Sequence, residues 1–370
     1  LNDTSKQNLL YNCIMNFLVI GKTPKAYFLS SKLAQEGHLV YLCIEKLDKN
    51  YKYDKVIFYD YSNQIEILKF VLKKEINLVI FTENDNELYE LGDFLKINEV
   101  NVYRVQKELM KICSDLYNQK TFFEEFQIPI LNGVFFEKEA PAFSFLKKGN
   151  YPVKITAGND EQSFVTSGFL NSKKCVIDMF NAQYKNILIE ENYSGKEVFL
   201  YFINDGVSLY LIGEVYEDLN ENQIISPVPF LEETLKEKII NNIIIKIAQA
   251  LNDLCDSEHA CIFGVKLLIN DGKAYVLRIF EDICQTHFLN VINLLNEKLS
   301  DLIISSCNCS LSDDFCEIKF KNKFTITYKS DYNQPDDEMI FKIDNKNYIN
   351  IEGSTLAWLK SFVKENLVRY

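Results

Sequence analysis

Long apolar runs are missing from this 370-residue chain. The strongest candidates, Asn16 to Ile20, Leu78 to Phe81 and Ile239 to Ile245, are short and fall well below the roughly 18 to 20 residues that span a bilayer. A membrane-spanning helix is therefore excluded from the reading, and a membrane partner with it. No secretory leader is expected either: the first fourteen residues show no basic start, apolar middle or small-residue cleavage site. Met15 stands directly before the first strand-like run, so the native start is expected there, with residues 1–14 outside the native protein. Arginine is scarce, with only Arg104, Arg278 and Arg369 among 40 basic residues, and the formal charge is -12. A phosphate-backbone partner wants a concentrated basic face, so nucleic acid is excluded as a ligand. The ten cysteines are scattered through apolar stretches without paired zinc-site spacing, as reduced thiols of a cytoplasmic protein would be. Cys307, Cys309 and Cys316 are close enough in sequence for a soft metal, but no second cluster accompanies them. Internal repeats and low-complexity linkers are absent.

What is present is a regular alternation. Asn16 to Ile20, Leu39 to Ile44, Lys55 to Tyr59, Leu78 to Phe81 and Val100 to Tyr103 read as strands. Amphipathic stretches at Lys25 to Glu36, Gln64 to Lys74 and Glu87 to Ile97 separate them, which predicts a small parallel α/β domain over 15–104. Its first crossover, Gly21-Lys22-Thr23-Pro24-Lys25, has one glycine where a phosphate-cradling turn would want several. A plain strand-to-helix turn with Pro24 in the first helical turn is the simpler reading. The pattern then predicts one long helix over 105–127, ending at Gln127-Ile128-Pro129. Strands follow at Gly133 to Phe136, Pro152 to Ile155, Ser163 to Thr166, Lys185 to Ile189, Glu197 to Ile203 and Ser208 to Tyr216. A long helix from Leu231 to about Leu254 precedes a hairpin, Phe263 to Ile269 and Ala274 to Phe280, turned by Asn270-Asp271-Gly272. The tail predicts strands over Glu317 to Lys329 and Glu338 to Ile351 and a closing helix over Ser354 to Glu365.

One segment is more specific than the rest. Ile189-Glu190-Glu191-Asn192-Tyr193-Ser194-Gly195-Lys196-Glu197 reproduces the pattern I-E-E-x-x-x-G-x-E, with strands on either side. Asn16 to Gly21, Phe126-Gln127-Ile128-Pro129, Ser226-Pro227-Val228-Pro229 and the hairpin at 263–280 stand in matching order around it. On these residues the chain resembles the phosphoribosylamine-glycine ligase family of the ATP-grasp superfamily, as a divergent member, over nearly its whole length. The resemblance implies an α/β plus α+β architecture: an N-terminal Rossmann-like domain (15–104), a two-lobed ATP-grasp region (105–305, small lobe about 130–190) and a small C-terminal α+β domain (306–370). It implies ATP as the cofactor, with Glu190 on the adenine side beside Glu191 and Glu197 accepting from the ribose hydroxyls. Lys154, in Pro152-Val153-Lys154, would be the phosphate lysine. Lys120 stands near a second family lysine, and a surface position is its other reading.

The departures lie at the phosphate and metal end. The loop Ile155 to Ser163 keeps one glycine, and Gln162 stands where a lysine is expected. The family's magnesium-binding E-F-N reads Arg278-Ile279-Phe280. Alternation predicts Leu277 and Ile279 toward the core and Arg278 and Phe280 toward the site. Hard oxygen ligands are then lost and magnesium is disfavoured. Arg278 is expected either to contact phosphate in place of metal or to face solvent; Glu281 and Asp282 could supply carboxylates if the strand bulged. The family's substrate-side arginine is missing, and His287 reads as a polar helix-start residue. The expected function is an adenine-nucleotide-binding pseudo-ligase of weak or no activity, monomeric or joined to a protein partner, its small-molecule substrate open. The alternative is an active ATP-dependent carboxylate-amine ligase that makes glycinamide ribonucleotide through a glycyl phosphate, or joins another carboxylate and amine.

Overall fold

Residues 14–45, 53–83, 85–158, 162–254, 260–330, 340–343 and 346–366 are described by the computed structural model. The start expected at Met15 is thus within it, whereas residues 1–13 lie outside the described residues.

The first strands are short, mostly apolar runs, and the central ones are buried as a sheet covered on both faces requires. They are β1 (Asn16–Ile20), β2 (Leu39–Ile44), β3 (Val56–Phe58), β4 (Leu78–Phe81) and β5 (Val102–Tyr103), and they form a parallel sheet in the order β3-β2-β1-β4-β5. The crossovers are helices α1 (Pro24–Gln35), α2 (Gln64–Lys73) and α3 (Asn86–Ile97). α2 and α3 pack Ile67, Val71, Leu88, Leu91 and Leu95 on one face of the sheet, while α1 covers the other with Ala26, Leu29 and Leu33. Strand order reverses between β1 and β4, so a crevice opens at their carboxyl ends.

The long helix expected over 105–127 is two helices, α4 (Lys107–Cys113) and α5 (Leu116–Glu125). Asp115 separates them, because its carboxylate accepts from the Asn118 N–H at 2.7 Å and restarts the helix there. An antiparallel sheet of four strands follows, β6 (Gly133–Phe136), β7 (Val153–Ala157), β8 (Gln162–Thr166) and β9 (Ile187–Glu191), ordered β6-β9-β7-β8. Helices α6 (Glu139–Leu146) and α7 (Phe169–Asn181) cover one face of it.

The second, larger antiparallel sheet contains β10 (Lys196–Asp205), β11 (Leu209–Asp218), β12 (Gln223–Ser226), β13 (Ala260–Asn270), β14 (Lys273–Phe280), β15 (Phe324–Ser330), β16 (Ile340–Ile343) and β17 (Lys346–Gly353). Their order is β14-β13-β10-β11-β12-β15-β17-β16. The helix expected over 231–254 is α8, built as Glu233–Ile239, a π-helical turn Ile240–Ile244 and Ile245–Leu254. Together with α4 and α5 it seals one face of the large sheet over Leu200, Phe202, Phe263 and Val265. The opposite face joins the core under α1 through Phe199, Tyr201 and Ile203. Short helices α9 (Phe288–Ile292), α10 (Leu299–Cys307) and α11 (Leu311–Asp314) complete that layer.

The tail differs from its sequence pattern in two ways. The strand expected over 338–351 is β16 and β17, with residues 338–339 and 344–345 outside the described residues, and these strands extend the large sheet through β12 and β15. β12 itself has no counterpart in the sequence pattern. Its Ile225 packs with Ile326, Ile349 and Ile351 under α12 (Leu356–Asn366), giving the C-terminal part a core of its own on a shared sheet. Among the described residues, no helix is long and apolar enough to cross a membrane.

Candidate functional site

The segment 189–197 is the covalent link between the two antiparallel sheets. It leaves the small sheet at Glu191 and enters the large one at Lys196. Its path is held close against the β13–β14 hairpin: Asn270 Nδ2 donates to the Ser194 carbonyl, and the rings of Tyr193 and Tyr275 stack at 5.7 Å. Gly195 is needed there because a Cβ would stand 2.5 Å from the Ile269 carbonyl oxygen. The hairpin itself turns on Asp271 and Gly272, both at positive φ, as a two-residue turn demands.

On the small sheet, alternation turns Val153 and Ile155 toward α6 and α7 and leaves Lys154 on the face of Glu190, its neighbour across β7 and β9. Lys120 arrives from α5. Its ammonium lies 2.6 Å from Glu190 and donates to the Leu131 carbonyl at 2.9 Å, with both side chains almost wholly buried. The surface reading of Lys120 is therefore corrected: α5 runs along the edge of β14, where Gln119 accepts from the Ile279 N–H, and the next residue points into the small lobe. Glu191 faces outward, accepting from Tyr193 Oη at 2.9 Å and Asn132 Nδ2 at 3.4 Å.

On the large sheet a charged row crosses four strands. Glu197 on β10 pairs with Lys266 on β13 at 2.7 Å, and Arg278 on β14 is the cross-strand neighbour of Lys266. The two cations lie over aromatic rings, Lys266 over Phe199 at 5.4 Å and Arg278 over Phe280 at 5.4 Å. Glu217 on β11 completes the row. Burial pushes its carboxyl up, but the bond to His287 and the charges of His287 and Lys266 outweigh that and hold it below the usual carboxylate value. Neither Lys266 nor Glu217 stands in a recognisable motif, and only the strand pairing brings them beside Glu197.

The expected facing of β14 needs one correction. A bulge lies between Lys266 and Leu267, so Lys266 pairs with Arg278 while Leu267 pairs with Val276, and Leu277 is the extra residue. Val276 and Ile279, rather than Leu277 and Ile279, enter the core. Arg278 and Phe280 keep the facing that alternation gave them. The bulge does not draw Glu281 or Asp282 into the strand: β14 ends at Phe280, and Asp282 pairs with Lys25 of α1. With two cations in the row and its carboxylates engaged by Lys266 and His287, the donor set does not fit a magnesium ion.

A cleft of about 330 Å³ opens between the carboxyl ends of β1 and β4 and the end of β14. Lys25, Glu83, Arg278, Glu281, Asp282 and Cys284 contribute to its walls. At its floor the crossover after β1 is a plain turn into α1 with Pro24 in the first helical turn. Glu83, just past β4, closes it: one carboxylate oxygen accepts from the Lys22 N–H at 2.7 Å and the other from the Thr23 hydroxyl. Lys22 is held by Asp85 and Glu87, each at 2.9 Å; burial lowers its ammonium, but these bonds prevail and raise it above the ordinary lysine value. His287 begins α9 as a polar helix-start residue, and it is buried there, bonded to Tyr201 Oη and to Glu217, each at 2.7 Å.

No family model matches the chain. A phosphoribosylamine–glycine ligase of Helicobacter pylori is 24% identical over 339 residues, covering 84% of this chain and 76% of that protein. One from Fusobacterium nucleatum is 21% identical over 393 residues, 92% of this chain and 90% of its own. Among solved structures, the phosphoribosylamine–glycine ligase of Thermotoga maritima superposes with a TM-score of 0.71 at 12% identity, covering 95% of this chain and 96% of that one. An N5-carboxyaminoimidazole synthase of Aspergillus clavatus, in complex with ADP and 5-aminoimidazole ribonucleotide, superposes with a TM-score of 0.67 at 12% identity over 95% and 97%. The fold is that of the ATP-grasp ligases, and in sequence the chain resembles the phosphoribosylamine–glycine ligases over most of its length.

Proposed function

We propose that this divergent relative of the phosphoribosylamine–glycine ligases binds an adenine nucleotide where segment 189–197 joins its two antiparallel sheets, and holds the phosphates with side-chain cations in place of magnesium. The observation that carries the reading is the pairing of Lys266 and Arg278 beside Glu197. Glu197 is the ribose acceptor in this reading, since a carboxylate takes two hydroxyl donors at once. Lys154 from the small sheet and Lys120 from α5 serve the phosphates, and Glu190, tied to Lys120, sets where that ammonium stands. The Aspergillus relative, named as an ADP complex, supports the nucleotide. A guanidinium meets phosphate oxygens through two parallel hydrogen bonds, whereas a divalent ion beside Lys266 and Arg278 would meet repulsion of about 1 to 4 kcal/mol per unit charge pair at 4 Å.

Such a site retains binding better than turnover. Ligases of this type make an acyl phosphate from a carboxylate and ATP, which an amine then displaces, and phosphoryl transfer depends on cations positioned against developing charge. Fixed side chains that also bind the ground state supply less of that differential stabilisation. We assign the chain weak or no ligase turnover. Calorimetric titration of ATP in EDTA and in magnesium tests the site. Equal or tighter binding in EDTA is expected, and tighter binding with magnesium would overturn the cation-for-metal reading. Magnesium-dependent ADP release requiring both glycine and phosphoribosylamine would overturn the weak-turnover reading.

A further inference from the structure

The cleft between α1 and the end of β14 adjoins the proposed nucleotide site through Arg278 and Phe280, and its charge is informative. In a doubly wound sheet, anions bind at the first strand-to-helix turn beside the point where strand order reverses, because free N–H groups converge there. In this chain that place is already filled. Glu83 puts its carboxylate on the Lys22 N–H and the Thr23 hydroxyl, the donors a phosphate would use. The turn also lacks room for rearrangement: a Cβ on Gly21 would stand 2.0 Å from Thr82 Oγ1 and 2.5 Å from Glu83 Oε2.

The cations nearby are engaged as well. Lys25 is buried against Asp282 and faces the Phe288 ring at 5.8 Å. Lys22 is bonded to Asp85 and Glu87. Of the charged groups on the cleft wall, Glu83, Glu281 and Asp282 are acidic against Lys25 and Arg278. Behind them Glu45, Asp60 and Glu87 bring carboxylate oxygens within 4.8 Å of one another at the same edge of the parallel sheet. The relatives' substrates carry a phosphate by name, phosphoribosylamine in the bacterial ligases and a ribonucleotide in the Aspergillus complex.

We propose that the acceptor cleft of this chain selects against phosphate and takes an unphosphorylated, positively charged amine, with Glu83 standing where a substrate phosphate would otherwise bind. This rests on the proposed function, which holds the nucleotide phosphates at Arg278: the same Arg278 lines this cleft, so the acceptor side is assigned here, without resting on turnover. The chemical reason is twofold. A phosphate entering the turn would have to displace Glu83 from its donors and then sit among like charges, whereas an ammonium is drawn by the same carboxylates.

The test is calorimetry on the full chain saturated with ADP, comparing glycinamide ribonucleotide with its dephosphorylated riboside. The riboside is expected to bind at least tenfold tighter. Glu83→Gln keeps an oxygen for the Lys22 N–H but removes the charge, and is expected to shift the ratio toward the ribonucleotide at least tenfold. Asp282→Asn, which leaves the turn intact, gives a shift in the same direction should Glu83→Gln melt early. Tighter binding of the ribonucleotide by the unaltered chain, an unmoved ratio in both variants, or binding of neither compound would overturn the proposal. ADP binding, measured first, reports on the nucleotide site alone, so failure there is distinguishable from failure here.

Discussion

Lys120 and Glu190 form a buried charged pair within the proposed nucleotide site. Each side chain is under one-tenth exposed, and the pair lies 2.6 Å apart with the Leu131 carbonyl as a further partner. Removing one member of such a pair leaves an uncompensated buried charge, at a cost of about 3 to 5 kcal/mol. Lys120→Met is therefore expected to lower stability by that amount in urea denaturation, and Lys120→Met with Glu190→Gln to recover much of it. A loss under about 1 kcal/mol for the single variant, the range of exposed pairs, would mean the pair is open to water. At this scale the sequence exposed Glu190, Glu191 and Glu197, because they sit in one short pattern. It did not expose Lys266, Glu217 or Glu83, whose roles depend on neighbours tens of residues away along the chain.

Elements decide which side chains face the site. β14 would present its residues by simple alternation, but the bulge at Leu277 exchanges which apolar residues enter the core while leaving Arg278 toward Lys266. A bulge is a property of two paired strands, so it is invisible in either strand's own pattern. The same holds for the link 189–197, where the glycine is set by contact rather than by backbone angle. Gly195→Ala would press a methyl against the Ile269 carbonyl, and overpacking of that kind costs about 1 to 3 kcal/mol. The expected outcome is that loss of stability together with weaker ATP binding, since the strand carrying Glu197 starts one residue later. A Gly195→Ala variant as stable as the parent would show that the hairpin and the link separate easily. Most strands and helices were legible within a few residues because their apolar periodicity is strong. The break at Asp115, a capping event, the strand β12 and the helices α6, α7, α9, α10 and α11 were not.

At the scale of the molecule, the C-terminal strands are structural partners of the strands that carry Glu197, Lys266 and Arg278. β12 pairs with β15, and through it with β17 and β16, so the large sheet has no free edge at β12. A chain ending at residue 320 would expose that edge and the apolar patch around Ile225, a template for intermolecular pairing. It is expected to aggregate at concentrations where the full chain does not, as light scattering would report; a monodisperse truncated chain would overturn this. By itself the sequence determined the strands and helices of the N-terminal sheet, most of the later strands, the likeness to a ligase family and the loss of that family's metal-binding residue types. Those are local, carried by periodicity and by residues within one segment. The tertiary structure alone decided where the side chains stand: Lys266 beside Arg278, Lys120 inside rather than outside, and Glu83 seated in the first turn. Each depends on register between strands or on contact between distant segments, and neither is encoded in spacing along the chain.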